Sequence, residues 1–352
     1  MWLVCVAILL LAWWRKGRLD EKIAAAKAAV EERKRKRKPR PVAASATLGA
    51  VYAGFSAWTF VAWYRKHAPL SEYKWGGDGW MGVGTYAGGA DKCGHAWATM
   101  TLARLGTFIL AEWGGFSRRK VSIISALLSE MLFTGVEVKD GVYYEFSFSD
   151  LTGDSIGMVM ALLLDNFPKL REAFAYRVEY RPSEMYKRIV FDQSQVAGFS
   201  RWNIAEDYSG QTYLAAFHPS AIKALRDALG PLSRFFDVAL GFGSHNYKPS
   251  PDKDLAGERP HQDLSLRLSV NLKGIADEVL ENRRSAVARG GRLILDGLFE
   301  VFNLPYGSVA LATTSREKPP PQWKNGVAVP VESSNSRRSR GRVRARPAPR
   351  SR

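Results

Sequence analysis

Four apolar runs, each near the length of a membrane-crossing helix, lie at about residues 43–64, 93–113, 120–136 and 151–167. The last three are interrupted by Arg104, Glu130 and Asp154. A charge against an apolar helix is costly unless it is paired, hydrated or used. Such runs must therefore pack together around their polar residues or lie against lipid. Trp58, Trp63, Trp80, Trp97 and Trp113 sit near the run ends, where aromatic side chains anchor helices at a membrane–water interface. Run length and tryptophan placement favour membrane embedding or contact over a soluble bundle with a large aromatic core.

After Pro168 the pattern changes. Residues 264–272 alternate, with Leu264, Leu266, Leu268, Val270 and Leu272 on one face and Ser265, Arg267, Ser269 and Asn271 on the other. A period of two predicts a half-buried strand. Weaker strand signals cover residues 211–217, 236–243 and 308–314. A short helix is expected at 220–229, between Pro219 and Gly230, and an amphipathic helix at 292–302, stopped by Pro305. The expected fold class is α+β: an apolar four-helix bundle followed by a small antiparallel β-sheet with flanking helices. The alternating strand has the length of a membrane-barrel strand, but four strands cannot close a barrel.

Charge is unevenly spread. The net charge is +17, and every residue from 33 to 40 is Lys or Arg except Pro39. Residues 333–352 form a second basic stretch, rich in Ser, Arg and Pro. Both read as solvated charge runs, and attraction to anionic lipid, about 1 kcal/mol per Lys or Arg, is the sharper reading. No aromatic-interleaved RNA motif or recognition helix accompanies them, so nucleic acid is not an expected partner. Residues 2–14 are apolar and are followed by Arg15, Lys16 and Arg18. This run is shorter than the roughly 20 residues of a spanning helix and resembles a signal-peptide core or signal anchor. The positive charges of residues 15–40 favour a cytoplasmic side for that segment. Cys5 and Cys93 do not suggest a disulfide framework, and Cys5 lies too early in the apolar run to be a good lipid-attachment site. The expected organisation is a signal-like segment at 1–18, a basic linker at 19–42, the bundle at 43–170, a β-rich region at 171–315 and a basic tail at 316–352.

The chemistry is concentrated in Asp91-Lys92-Cys93-Gly94-His95 and in Glu137…Asp140-Gly141…Phe148-Ser149-Asp150. Asp91 and His95 are spaced to share a helix face, as are Asp150 and Asp154; Asp91 is equally suited to cap its helix. Glu130 and Glu137 also fall on one face. Folding would bring His95, Glu130, Glu137, Asp150 and Asp154 towards one end of the bundle. In the plainer reading they form a buried network: Lys92 pairs with Glu137 or Asp140, His95 donates to Asp150, Asp150 caps the fourth helix, and Gly157 lets helices approach closely. In the functional reading Asp91, Lys92, His95, Glu137, Asp140, Asp150 and Asp154 bind a ligand. His95, Glu137 and Asp150 are then the acid/base candidates, and Asp91, His95, Glu137 and Asp150 the candidate ligands of a divalent metal ion. Recognition of lipid head groups by Lys92 and His95 is a third reading. No Glu-x-x-His or His-Glu-x-x-His metal motif is present, and His67, His218, His245 and His261 sit in loop-like or strand-edge contexts. There is no nucleophile elbow or dinucleotide fingerprint. The Gly-rich stretch at 76–89 lacks the Lys-Ser/Thr of a phosphate loop.

The order Trp63-Tyr64…Asp78…Trp80-Met81…Asp91-Lys92…Gly94-His95, then Glu137…Asp140-Gly141…Phe148-Ser149-Asp150…Gly157, resembles the YfiM-like group of predicted periplasmic lipoproteins, a bacterial domain of unknown function. Tyr208-Ser209-Gly210-Gln211-Thr212-Tyr213 and Val238-Ala239-Leu240-Gly241-Phe242-Gly243 extend the resemblance, which covers about residues 52–314. A looser likeness, to VanZ-like membrane proteins, rests on the same Asp-Lys…His and later acidic pattern. The chain departs from the group at Asp154, where Asn is frequent, and in its ambiguous apolar start. The resemblance implies an uncharacterised bacterial cell-envelope protein, membrane-associated and facing the periplasm, with membrane lipids or another envelope protein as partners. A lipid-binding, protein-binding or structural role is expected. The alternative is a metal-assisted or acid/base enzyme acting on a lipid-linked or phosphate-bearing substrate.

Overall fold

The computed structural model describes residues 38–77, 79–191, 201–247, 259–280, 295, 297–318, 322–324 and 327–329. The expected signal-like segment, most of the basic linker, Asp78, part of the helix at 292–302 and the basic tail lie outside the described residues.

Pro41 opens α1 (Pro41–Thr59), where its fixed φ suits a first helical turn. A π-helical turn, Phe60–Tyr64, continues it. α2 (Ala90–Phe108) also ends in a π turn, Ile109–Trp113. Gly89 enters α2 at φ 79°, a left-handed conformation that favours glycine, and a Cβ there would lie 2.9 Å from Met81 Cα. α3 (Arg118–Tyr143) and α4 (Phe148–Asn166) complete the helical half. α3 runs well past the expected end at Val136, so Glu137 and Asp140 lie within it.

α2, α3 and α4 pack against one another. α1 lies on their flank: its Ala44 and Leu48 meet Ile109, Leu110 and Val121, and its Phe55 ring meets Phe133. The helical half is therefore a three-helix core with a fourth helix alongside. The apolar residues of α1 do not form one stripe, and Ala44, Leu48 and Thr59 are the residues of α1 that are buried.

Two-residue strands β1 (Trp75–Gly76) and β2 (Phe146–Ser147) pair in parallel beside the start of α4. Beyond α4 come α5 (Pro168–Ala173), β3 (Phe174–Tyr180), α6 (Glu184–Phe191), β4 (Gln211–Phe217) and α7 (Lys223–Leu229). β5 (Phe236–His245), β6 (His261–Val270), α8 (Leu272–Leu280), β7 (Phe302–Asn303) and β8 (Ser308–Glu317) follow. A small hairpin, β9 (Gln322–Lys324) and β10 (Val327–Val329), comes last. The main sheet has six strands in the order β7-β3-β4-β5-β6-β8. Its pairings are antiparallel except that of β7 with β3, which is parallel, so the sheet is mixed and not purely antiparallel.

The sheet curls until its two edges meet. Ser308 of β8 and Asn303 of β7 both donate to Glu179 Oε2 of β3, at 2.6 and 2.8 Å, and Ser269 of β6 donates to Asn303 Oδ1 at 3.2 Å. The inner face is largely polar: Arg177, Glu179, Asp237, Ser265 and Ser269 are all buried, around Leu214, Ala216 and Ala239. On the outer face Phe174, Tyr176, Val178 and Tyr213 pack on α2 and its neighbours. Farther along that face Leu240, Leu264, Leu266 and Val309 are 51, 57, 40 and 45% exposed. The alternation at residues 264–272 is thus a strand as expected, but its serine face is the buried one. The strand ends at Val270, and Leu272 begins α8.

Candidate functional site

The cluster foreseen in the bundle forms where α2, α3 and α4 meet, because two glycines bring backbones together. A Cβ on Gly157 would lie 2.3 Å from the Ala96 carbonyl oxygen, and one on Gly153 would lie 3.0 Å from that of Lys92. α2 and α4 therefore touch backbone to backbone along the face that carries Lys92, His95 and Thr99.

Two linked groups result. In the first, Lys92 Nζ lies 2.6 Å from Asp91 Oδ2 and 2.7 Å from Asp150 Oδ1, with all three side chains largely buried. In the second, His95 Nδ1 lies 3.1 Å from Asp154 Oδ1 and 3.8 Å from Glu137 Oε1. Thr99 donates to Asp154 Oδ1 at 2.8 Å, and the Ser147 backbone N–H donates to Glu137 Oε2 at 3.3 Å. Ser129 fixes the neighbouring turn by donating to the Thr99 carbonyl. Among the described residues, Glu137 Oε1 and Asp154 Oδ2 have no hydrogen-bond partner. One donor atom each from His95, Glu137 and Asp154 lie within 4.8 Å of one another, a spacing that suits a metal ion.

These pairings differ from the expected ones. Lys92 pairs with Asp91 and Asp150, not with Glu137 or Asp140, and His95 meets Asp154, not Asp150. The cap of α4 is Ser147, whose Oγ accepts from the Asp150 backbone N–H, while Asp150 sits in the first turn. Asp140 accepts from the Tyr64 hydroxyl at 2.6 Å, and Glu130 accepts from Ser155 instead of joining His95. Arg104, the charge inside the second run, meets Glu300 at 2.5 Å and Asp165 at 3.5 Å. Sequence reading did not single out Thr99, Ser129 or Ser147, and Tyr64 entered only through the resemblance. Thr99 had a legible signal, being one helical turn beyond His95.

Burial drives the protonation behaviour. It pushes the Glu137 carboxyl up to about 8, with Asp150, Asp140 and Asp154 adding to the shift and His95 opposing it. Burial likewise raises Asp140 to about 7, against the hydrogen bond from Tyr64. For His95, burial disfavours the charged ring, but the carboxylates of Asp154, Asp150 and Glu137 outweigh it and hold the ring well above its ordinary value. The cluster is covered: the Phe133 ring lies beside His95, whose side chain is 19% exposed, against 1 and 0% for Glu137 and Asp154. An open depression at the β1–β2 edge is lined by Gly77, Trp80, Glu145, Phe148, Ser149 and Thr152, among others, but by none of the Lys92 or His95 groups.

Residues 77–166 match the model of a family described as predicted periplasmic lipoproteins (DUF2279). The matched span holds both groups in full. Over that span the chain is similar to an uncharacterised family of the cell envelope. No curated protein and no solved structure matches the chain.

Proposed function

We propose that this chain is an envelope protein that seats the apolar outer face of its sheet on lipid, while the charged groups in the bundle lock its helices in register. The observation that carries this reading is the inverted sheet: leucines on its outer face are exposed, while Arg177, Glu179, Asp237 and serines fill its interior. Apolar outside and polar inside is how strands face hydrocarbon in a membrane barrel. Each of these half-exposed leucines would contribute about 1 kcal/mol on leaving water, roughly half the value for a fully exposed side chain. α3 is, among the described residues, the one helix long and apolar enough by length and composition to cross a membrane, and its Ile123, Ile124, Leu127 and Met131 are exposed. The likeness to a periplasmic family fits a lipid-facing envelope setting, and we read the residue pattern within it as YfiM-like.

The test is flotation of purified full-length protein with phosphatidylethanolamine/phosphatidylglycerol vesicles. Wild-type protein is expected to float, and Leu264→Glu with Leu266→Glu is expected to sediment with unchanged circular dichroism. Equal flotation of both would sink the lipid reading. Failure of wild-type protein to float would also sink it, and would turn the search to an envelope protein as the occupant of this face.

One observation favours a second reading: one oxygen each of Glu137 and Asp154, beside His95, accepts no hydrogen bond from the described residues. A divalent ion held by these three residues would make the bundle a metal-assisted site for a phosphate-bearing or lipid-linked substrate. The cover over the cluster, and its carboxylates' bonds to Lys92, His95, Thr99 and Ser147, support the lock instead. Elemental analysis of wild-type protein and the His95→Ala variant separates the two, since metal lost with His95 promotes the site.

A further inference from the structure

We propose that His245, His261 and Asp263 form a second site, for a divalent transition-metal ion of the zinc class, at the end of the sheet where β5 stops and β6 starts. This goes beyond the lipid-binding reading and does not depend on it. β5 ends at His245 and β6 begins at His261, and the two residues are direct cross-strand partners. Asp263 is two residues farther along β6, so the period of two puts all three on the inner face, in line with Ser265. The imidazole centroids are 5.0 Å apart. His245 Nε2 lies 3.3 Å from Asp263 Oδ2, and one donor atom from each of the three residues lies within 4.8 Å of the others. Two ligands bound about 2.1 Å from a tetrahedral zinc ion stand about 3.4 Å apart. The observed spacing therefore needs little adjustment.

The surroundings already orient these ligands. His261 Nδ1 lies 3.0 Å from the Arg259 carbonyl oxygen. A carbonyl only accepts, so that nitrogen carries the proton and Nε2 keeps its lone pair, as in metal-bound histidines. His245 directs its Nε2 at Asp263 Oδ2. Ser315 donates to Asp263 Oδ1 at 2.5 Å, which leaves Oδ2 towards the histidines. A backbone carbonyl and a hydroxyl thus hold His261 Nδ1 and Asp263 Oδ1 in place. Two imidazoles and a carboxylate suit zinc or a neighbouring first-row ion and not calcium or magnesium, which take oxygen ligands. Among the described residues the cluster supplies three ligands, which leaves a fourth position for water or a substrate atom, the pattern of reactive sites and not of closed structural ones. The His245 and Asp263 side chains are 35 and 26% exposed, so that position is reachable from solvent.

The test is titration of metal-free full-length protein with Zn²⁺ by calorimetry and with Co²⁺ by visible absorption. One equivalent per chain is expected, with ligand-field bands for cobalt. His261→Ala and His245→Ala should each abolish this binding, and His95→Ala should leave it intact. Ser315→Ala keeps every ligand and should weaken affinity about 10–100-fold at unchanged circular dichroism, which a purely structural serine would not do. Absence of Zn²⁺ binding to wild-type protein overturns the proposal. So does wild-type stoichiometry and affinity in both histidine variants, which would put the ion elsewhere.

Discussion

A single methyl group at Gly157 tests the backbone contact between α2 and α4. In Gly157→Ala the new Cβ would lie 2.3 Å from the Ala96 carbonyl oxygen and 3.0 Å from its carbonyl carbon and Cα. That is roughly 1 Å short of ordinary contact, and the opposing atoms are backbone and cannot rotate away. α2 and α4 would have to separate, stretching the contacts of Lys92 with Asp150 and His95 with Asp154. Overpacking of this kind costs about 1–3 kcal/mol, and replacing a helical glycine by alanine returns up to about 1 kcal/mol. With backbone on both sides the upper part of that range applies, so the net loss should be about 2 kcal/mol. Gly135→Ala is the control: Gly135 also lies mid-helix, in α3, but a Cβ there meets nothing within 4 Å. The same substitution should stabilise at that position by up to about 1 kcal/mol. Urea denaturation followed by circular dichroism reads both shifts as changes in midpoint at constant slope. If Gly157→Ala stabilises as Gly135→Ala does, the backbone contact between α2 and α4 is wrong.

Three further outcomes follow from the buried charges. Lys92→Met leaves Asp91 and Asp150 without the cation between them and should cost about 3–5 kcal/mol in the same assay; a loss under about 1 kcal/mol would contradict the lock. Stability of the metal-free protein should fall as pH rises. The folded-state pKa of Glu137 is raised to about 8, so its contribution is complete below the ordinary carboxylate value of 4.5 and is lost as pH climbs towards 8. The raised His95 acts in the same direction, contributing fully below 6.5 and losing that contribution as pH passes its folded value. Glu137→Gln should flatten the stability–pH curve over this window, and an unchanged slope would count against the assigned environment. In the sheet, Arg177 Nη1 lies 2.6 Å from Asp237 Oδ2, both fully buried, and Arg177→Met should cost about 3–5 kcal/mol. Asp237 Oδ1 also meets His218 Nδ1 at 2.5 Å and accepts from Asn271 Nδ2 at 3.0 Å, so the double variant Arg177→Met/Asp237→Asn, which keeps an acceptor for both, should recover part of that loss, and no recovery would mean that Arg177 does not depend on Asp237.

Much of the candidate bundle site was legible because helical spacing is local. Four residues is one turn, so Asp91 with His95, and Asp150 with Asp154, were readable as neighbours before folding. Their partners were not. Which carboxylate meets Lys92 depends on how α2 slides and rotates against α4, and Gly153 and Gly157 set that register from the other helix. The end of α3 was misplaced for a similar reason: a charge at Glu137 reads as the close of an apolar run unless a buried partner is known to await it. β3 was missed because Arg177 and Glu179 interrupt the apolar pattern of Phe174–Tyr180, and only the curled sheet gives those charges a polar interior. His245 and His261 looked like unrelated strand-edge histidines because strand pairing, and not proximity in sequence, brings them together.

The sequence by itself determined the α+β class, the helical runs, the alternating strand and the residues rich in chemistry, since these follow from periodicity and from the cost of stranding charge beside apolar surface. Tertiary structure alone decided which face of the alternating strand is buried. A period of two defines two faces but does not say which is inside; curling put Ser265 and Ser269 inward, Ser269 against Asn303, and turned Leu264 and Leu266 outward. That choice depends on contacts between strands far apart in the chain, which no local pattern encodes.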